Sequence, residues 1–268
     1  MGDDGLCRLC SWKCYMDKSI KRVLCTVMYH GAHYSGWQVQ DDKPSIQSTI
    51  QSVLSRMHHH PVKIAGSGRT DAGVHAFGQC FHFDTDLSLS EERWVVAINS
   101  QLPKDIRILD ARFVHSKFHA RYSVVSKRYD YLISKEESNP FSYQTHLSIT
   151  KKLNYHAMNQ AISVLIGTHD FSSFCSNTKE EMPNQVRTLM HFECSDEGEQ
   201  IRFILIGDGF LRYMVRMLVA VVLDVGLGKL QVKDVQDILD KKDKRAYSGI
   251  VDPCGLYLME VHYKEDEE

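Results

Sequence analysis

The stretch Gly66 to Gln79, GSGRTDAGVHAFGQ, holds four glycines together with an arginine, a threonine, an aspartate and a histidine. Glycines weaken a strand and an ordinary turn needs one or two of them. Close approach of this backbone to a ligand is therefore expected. A phosphate-binding P-loop requires Lys followed by Ser or Thr after its last glycine, and then a helix. Here Gly73 is followed by Val74, His75 and a strand pattern. A dinucleotide fingerprint needs three glycines at fixed spacing that open a helix; Gly66 and Gly68 fit the first two positions and Asp71 takes the third. Both readings fail. What remains is a carboxylate, Asp71, on a tight loop beside Arg69. An aspartate with an ordinary pKa of about 3.9 is ionised at neutral pH, and an adjacent guanidinium favours that state further. Such a group serves as a nucleophile, a metal ligand or a weak general base. The nucleophile is favoured, because the loop contains no second carboxylate with which to hold a metal. His75 is either an acid–base partner or a structural residue opening the next strand, and the second reading is favoured.

The flanking elements must position this loop. Val23, Cys25, Val27 and Tyr29 alternate as a strand. Ile46, Ile50, Val53, Leu54 and Met57 recur at helical spacing after Ser45. A short strand at 62–65 precedes the glycine-rich loop, and Gln79, Phe81 and Phe83 alternate after it. Ser90 caps a helix that runs to about Leu102, before Pro103, and 106–114 is a strand. The second half repeats the order. Residues 128–134 form a strand with Tyr129 and Tyr131 on one face. Thr150 caps a helix through Leu153, Ala157, Ala161, Val164 and Leu165 that Gly167 ends. Residues 187–194 and 200–206 pair as a hairpin. A strongly apolar helix spans 211–225, a polar helix follows from Val232, and Tyr257 to Tyr263 closes as a strand. The fold class predicted is α+β. It comprises two ferredoxin-like βαββαβ halves, with helices on one face of the sheet. The divisions are an extension at 1–20, halves at 21–115 and 116–264, and an acidic tail at 265–268.

At 268 residues, with 43% hydrophobic and 25% charged residues and a mean hydropathy of -0.31, the chain is neither disordered nor fibrous. The longest apolar run, Met217 to Leu223, is far short of the ~18 residues of a membrane span. The start lacks the basic and apolar regions of a signal peptide, so a cytoplasmic protein without membrane partners is expected. Cys7, Cys10 and Cys14 form a C-x2-C-x3-C cluster read as incidental rather than metal-binding. His58, His59 and His60 are read as a solvated helix end, not a metal site.

The run Gly68 to His75, GRTDAGVH, resembles the signature of the tRNA pseudouridine synthase A (TruA) family. Further similar runs follow in order: YSGWQ at 34–38, NSQLP at 99–103, FHARY at 118–122, KRYDY at 127–131, DFSSF at 170–174, FLRYMVR at 210–216 and GLYL at 255–258. The resemblance covers about residues 21–264. It implies two ferredoxin-like halves whose sheets join into one, with an active-site cleft between them. It implies an isomerase that flips uridine out of RNA and converts it to pseudouridine without cofactor or metal. It further implies tRNA as substrate, at conventional anticodon stem-loop positions 38 to 40, and a homodimer. By position in the motifs, Asp71 is the catalytic aspartate and Arg69 fills the space of the extruded base. Tyr129 packs on the flipped uracil and Arg216 pairs with the aspartate, with Arg212 four residues earlier on the same helix face. Thr70, His75, Arg121 and Arg128 complete the substrate-binding set, and Lys117 and Lys127 join Arg121 and Arg128 as candidate phosphate contacts. Tyr213, Met217, Ala220 and Asp252 depart from the family pattern and leave room for altered target uridines.

The formal charge of -2 argues mildly against a nucleic-acid partner. Removing the terminal acids Asp3, Asp4, Glu265, Asp266, Glu267 and Glu268 changes it from -2 to +4, and 117–135 carries five basic side chains against Asp130 alone. A local RNA face is therefore expected there. The rival readings are an RNA-binding module of the same fold without catalysis, and a nucleotide-binding metabolic enzyme.

Overall fold

A computed structural model describes residues 20–264. The cysteine cluster at 7–14 and the acidic tail lie outside these described residues. The first half runs β1 (Lys21–Tyr29), α1 (Ile46–His58), β2 (Ala65–Gly66), β3 (His75–Thr85), α2 (Glu91–Asn99) and β4 (Ile106–Val114). Its helices begin where the side chains can satisfy the free amides of a first turn. Ser45 Oγ accepts from the Ser48 amide at 3.2 Å, and Ser90 Oγ from that of Arg93 at 3.4 Å. The second half runs β5 (Val124–Ser134), β6 (Leu147–Ser148), α3 (Tyr155–Leu165), β7 (Gly167–Asp170), β8 (Val186–Asp196), β9 (Gln200–Gly207), α4 (Met214–Gly226), α5 (Val232–Lys241) and β10 (Leu256–Tyr263).

The main strands lie in the order β4-β1-β3-β10-β5-β9-β8-β7, with β2 on β3 and β6 on β5. Both halves therefore show the ferredoxin-like arrangement, β4-β1-β3-β2 and β10-β5-β9-β8. They meet where β10 pairs in parallel with β3, through only Tyr257 opposite His75 and Leu258 opposite Ala76. Apart from β5–β6, every other pairing of named strands is antiparallel. The strand residues Val23, Cys25, Val27, Phe81, Phe83, Tyr129, Tyr131, Phe203 and Leu205 share one core with the buried residues of all five helices. The helices thus cover one face of the sheet, as expected. The opposite face carries a small separate cluster of Leu24, Cys80, Phe118 and Ala120. There the 115–123 segment is fastened to the sheet. Arg22 donates to the Phe118 carbonyl at 2.6 Å, Tyr263 to that of Ala120 at 2.8 Å, and the Ala120 amide to His82 Nδ1 at 3.1 Å.

Four sequence expectations are corrected. The short strand is displaced to two residues, Ala65–Gly66, which pair with His82 and Phe81 of β3. Helix α3 starts at Tyr155 rather than near Thr150. Asn154 caps it by accepting from the Ala157 amide at 3.1 Å, and the Asn154 amide is fixed to the Gly226 carbonyl. Helix α4 starts at Met214 rather than Leu211, because Tyr213 has a left-handed backbone with φ of 67°. His58 is not solvated. It is buried at the end of α1, donates from Nδ1 to the Leu54 carbonyl at 2.7 Å, and hydrogen-bonds Thr85 through Nε2 at 2.8 Å. Its ring stacks on Trp94 with centroids 5.8 Å apart.

Candidate active site

The loop between β2 and β3 is fastened at both ends. At its start the Ser67 amide donates to the Cys80 carbonyl at 2.7 Å, and Ser67 Oγ donates to Gln79 Oε1 at 2.5 Å. Gln79 Nε2 returns a bond to the Gly68 carbonyl at 3.0 Å. Further along, buried Thr70 shares a hydrogen bond with the Tyr29 hydroxyl at 2.8 Å, and its carbonyl accepts from the Trp37 amide at 3.1 Å. The Val74 amide donates to the Asp71 carbonyl at 3.2 Å and closes the turn.

The loop's glycines have a different reason from the one expected. A Cβ at Gly66 would lie 2.6 Å from the Trp37 ring, and one at Gly73 would lie 2.9 Å from Pro253 while φ is 79°. One at Gly68 would lie 2.6 Å from Lys127 Nζ, and one at Gly78 would lie 2.2 Å from the Met259 carbonyl oxygen. Close approach is indeed what they permit, but the approaching atoms belong to the protein.

Asp71 is reached from the other half. Arg216 Nη1 lies 3.4 Å from Asp71 Oδ2, with side-chain exposures of 12% and 26% respectively. Arg216 is held in turn: its Nε donates to the Val251 carbonyl at 2.8 Å, and its own carbonyl accepts from the Val251 amide. The left-handed turn at Tyr213 places that ring between two cations, with Arg212 at 5.0 Å and Arg216 at 5.3 Å from its centroid. Arg212 is exposed and precedes the helix instead of sharing a face of it with Arg216. Burial raises the Asp71 carboxyl above its ordinary range, and the attraction of Arg216 and Arg212 only partly opposes that. The expectation that Arg69 drives ionisation is corrected: Arg69 is exposed and its Nε donates to Gln38 at 3.1 Å. Tyr129 on β5 is buried, with Phe210 edge-on at 5.1 Å. Burial raises its phenol strongly, and the charges of Tyr29 and Asp71 act in the same direction.

Three expected residues are placed elsewhere. His75 opens β3, buried at the join between the halves. Its Nδ1 accepts from the Gly31 amide at 3.1 Å, its Nε2 donates to the Gln144 carbonyl at 2.8 Å, and its ring stacks on Tyr257. Burial lowers its pKa to about 4, so it stays neutral. Arg128 binds the fully buried Asp130 through Nε at 2.9 Å and Nη2 at 3.1 Å, with Glu260 at 3.7 Å. Arg121 is exposed in the 115–123 segment, beside Tyr122. The basic face expected at 117–135 is smaller than its charge count. Arg128 is paired, Lys135 binds Asp196 at 2.5 Å, and Lys127 donates to the Ser67 carbonyl at 2.8 Å. Lys117 and Arg121 are the exposed members without a carboxylate partner among the described residues. Sequence reasoning overlooked Gln79, whose amide spans the start of the loop, since nothing in a strand pattern marks it. No group of three or more His, Cys, Asp or Glu side chains able to hold a metal occurs among the described residues.

A carboxylate on a braced loop of one ferredoxin-like half is thus met by a guanidinium from the other. A family model described as tRNA pseudouridine synthase matches residues 26–123 and 161–264. The chain belongs to the tRNA pseudouridine synthase family and is an isomerase acting on tRNA uridine. It is similar to tRNA pseudouridine synthase A of Exiguobacterium sp., with 46% identity over 246 residues, covering 92% of this chain and 99% of that protein. The protein of the same name from Exiguobacterium sibiricum is 43% identical over 249 residues, covering 93% and 99%. That of Geobacillus kaustophilus is 42% identical over 248 residues, covering 92% and 96%.

Proposed function

We propose that the chain converts uridine to pseudouridine at conventional positions 38 to 40 of the tRNA anticodon stem-loop, with Asp71 as the catalytic carboxylate. The contact between Asp71 and Arg216 carries this reading, because it unites the GRTDAGVH and FLRYMVR runs in one site. The reaction breaks the N1–C1′ bond, turns the uracil and forms a C5–C1′ bond. The proton leaves C5 and N1 gains one, so atoms balance with no cofactor. Asp71 either attacks the ribose or the uracil, or takes a proton in glycal formation. The target base must first leave its stack, at a cost of a few kcal/mol. Tyr129 receives the flipped uracil, a contact of the kind worth ~1–3 kcal/mol. Exposed Arg69 occupies the space the base vacates, Thr70 keeps the carboxylate in place, and Arg212 and Arg121 meet phosphates. Arg128 and His75, whose polar groups are committed inside the protein, hold the frame instead of touching RNA. The chain acts as a homodimer in the cytoplasm, and its halves divide as 21–115 and 116–264.

Nucleotide-resolution pseudouridine mapping of tRNA from cells with and without the gene tests the target positions. Pseudouridine at positions 38 to 40 should disappear without the gene and return with wild type but not with Asp71→Asn. Unchanged modification without the gene, or full activity of Asp71→Asn, would overturn the reading.

A further inference from the structure

We propose that Lys127 is a positioning residue for the reaction, clamping the loop that carries Asp71 from the opposite half of the molecule. The proposal rests on the reading of Asp71 as the catalytic carboxylate. Lys127 stands on β5 in the second half, and its Nζ donates to the Ser67 carbonyl at 2.8 Å. The ammonium fills the space that a side chain at residue 68 would otherwise take, 2.6 Å from the Cβ an alanine would carry. The two successive carbonyls at the start of the loop are thereby both occupied. Lys127 holds that of Ser67, and Gln79 holds that of Gly68. With Thr70 anchored to Tyr29 and Trp37, Asp71 sits one residue past a segment with no free end.

The arrangement is costly for mere packing. Lys127 has no carboxylate partner among the described residues. Burial lowers its pKa to about 8, with the charge of Arg121 acting in the same direction. An apolar side chain of similar length would fill the space without that penalty. What the ammonium supplies is a charge-assisted bond across the gap between the halves. Arg216 reaches Asp71 from the same half, so the separation of carboxylate and guanidinium depends on how the loop is seated against β5. An error of about 1 Å there can cost about a hundredfold in rate.

The test compares single-turnover isomerisation with tRNA affinity for wild type, Lys127→Met, Lys127→Arg and Gly68→Ala, using a tRNA transcript. Lys127→Met should lose tenfold or more in rate at saturating tRNA while its affinity changes less than about threefold, and Lys127→Arg should recover part of the rate. Gly68→Ala, which displaces the ammonium and leaves Lys127 itself unchanged, should show the same loss. Combining Gly68→Ala with Lys127→Met should add little to either alone, as residues acting through one contact do. A loss of affinity with a shallower salt dependence and an unchanged saturated rate would make Lys127 a phosphate contact and overturn the proposal. An unchanged rate and affinity in Lys127→Met, or fully additive losses in the double variant, would overturn it as well. Asp71→Asn run in parallel separates the two readings: its activity bears on the catalytic carboxylate alone.

Discussion

Asp71 combines a carboxylate, a buried setting and a guanidinium only 3.4 Å away, and its behaviour with pH follows from their balance. Burial raises its pKa in the folded chain while Arg216 and Arg212 pull it back. A carboxyl raised in the folded state binds its proton more tightly there than in the unfolded chain. Its ionisation therefore lowers stability as pH rises through the folded value. Asp71→Asn should accordingly melt at a higher temperature than wild type at pH 7, with the difference vanishing in acid where both side chains are neutral. Calorimetry at the two pH values checks this. Arg216→Met removes the stronger opposing charge, so the acid limb of the rate–pH profile should move to higher pH, as single-turnover rates at stepped pH will show. A wild-type-like limb would mean that Arg216 does not set the ionisation of Asp71. Asp71 itself was legible from its loop. Its electrostatic partner was not legible from spacing, because Arg216 lies 145 residues away and Arg69, two residues away, turns to Gln38. The glycines were legible as close contacts, yet their neighbours Trp37, Lys127, Pro253 and Met259 come from distant segments.

At the scale of elements, alternation and helical spacing disclosed most strands and helices, because each has a buried and an open side. The misreadings arose where tertiary partners override local pattern. The start of α4 was misplaced because the apolar pattern begins before the left-handed Tyr213, which no periodicity reveals. A histidine run after an amphipathic helix predicts a solvated end. Yet one of the three turns inward onto Trp94 and Thr85. Within β5, Asp130 is fully buried between Arg128 and Arg202, with Arg202 Nη1 at 3.1 Å. The Arg202 contact joins β5 to β9, while that of Arg128 lies within β5. Removing one partner of a buried pair costs ~3–5 kcal/mol when the other charge is trapped. Here both arginines keep 26–29% side-chain exposure, so Asp130→Ala should cost less, about 2 kcal/mol. Urea unfolding measures it. A loss below 0.5 kcal/mol, the range of ordinary surface changes, would show that the arginines find water instead.

For the molecule as a whole, the duplicated order of elements predicted two ferredoxin-like halves, and both have that strand order. The charge count was a weaker guide, since it cannot tell a paired cation from a free one. Lys135 is bound to Asp196 and Arg128 to Asp130, whereas Arg212 and Arg121 are exposed without a carboxylate partner among the described residues. Arg212→Ala and Arg121→Ala should each weaken tRNA binding and lower the slope of log affinity against log salt by about one. Lys135→Ala should leave that slope unchanged. Filter binding over a salt series distinguishes these outcomes, and equal slopes for all three variants would reject the assignment of phosphate contacts.

The parallel join between β3 and β10 has a consequence for how the chain is made. β10 follows every other described strand in the sequence, yet it lies in the middle of the sheet, between β3 and β5. While a ribosome is still extending the chain, both neighbouring strands present unpaired edges, which invite pairing with other chains. The two parts become one hydrogen-bonded sheet only through that final strand. Asp71 and Arg216 stand on opposite sides of that seam. A chain interrupted before Leu256 therefore lacks the strand that joins the two parts into one sheet, and leaves the edges of β3 and β5 open to other chains.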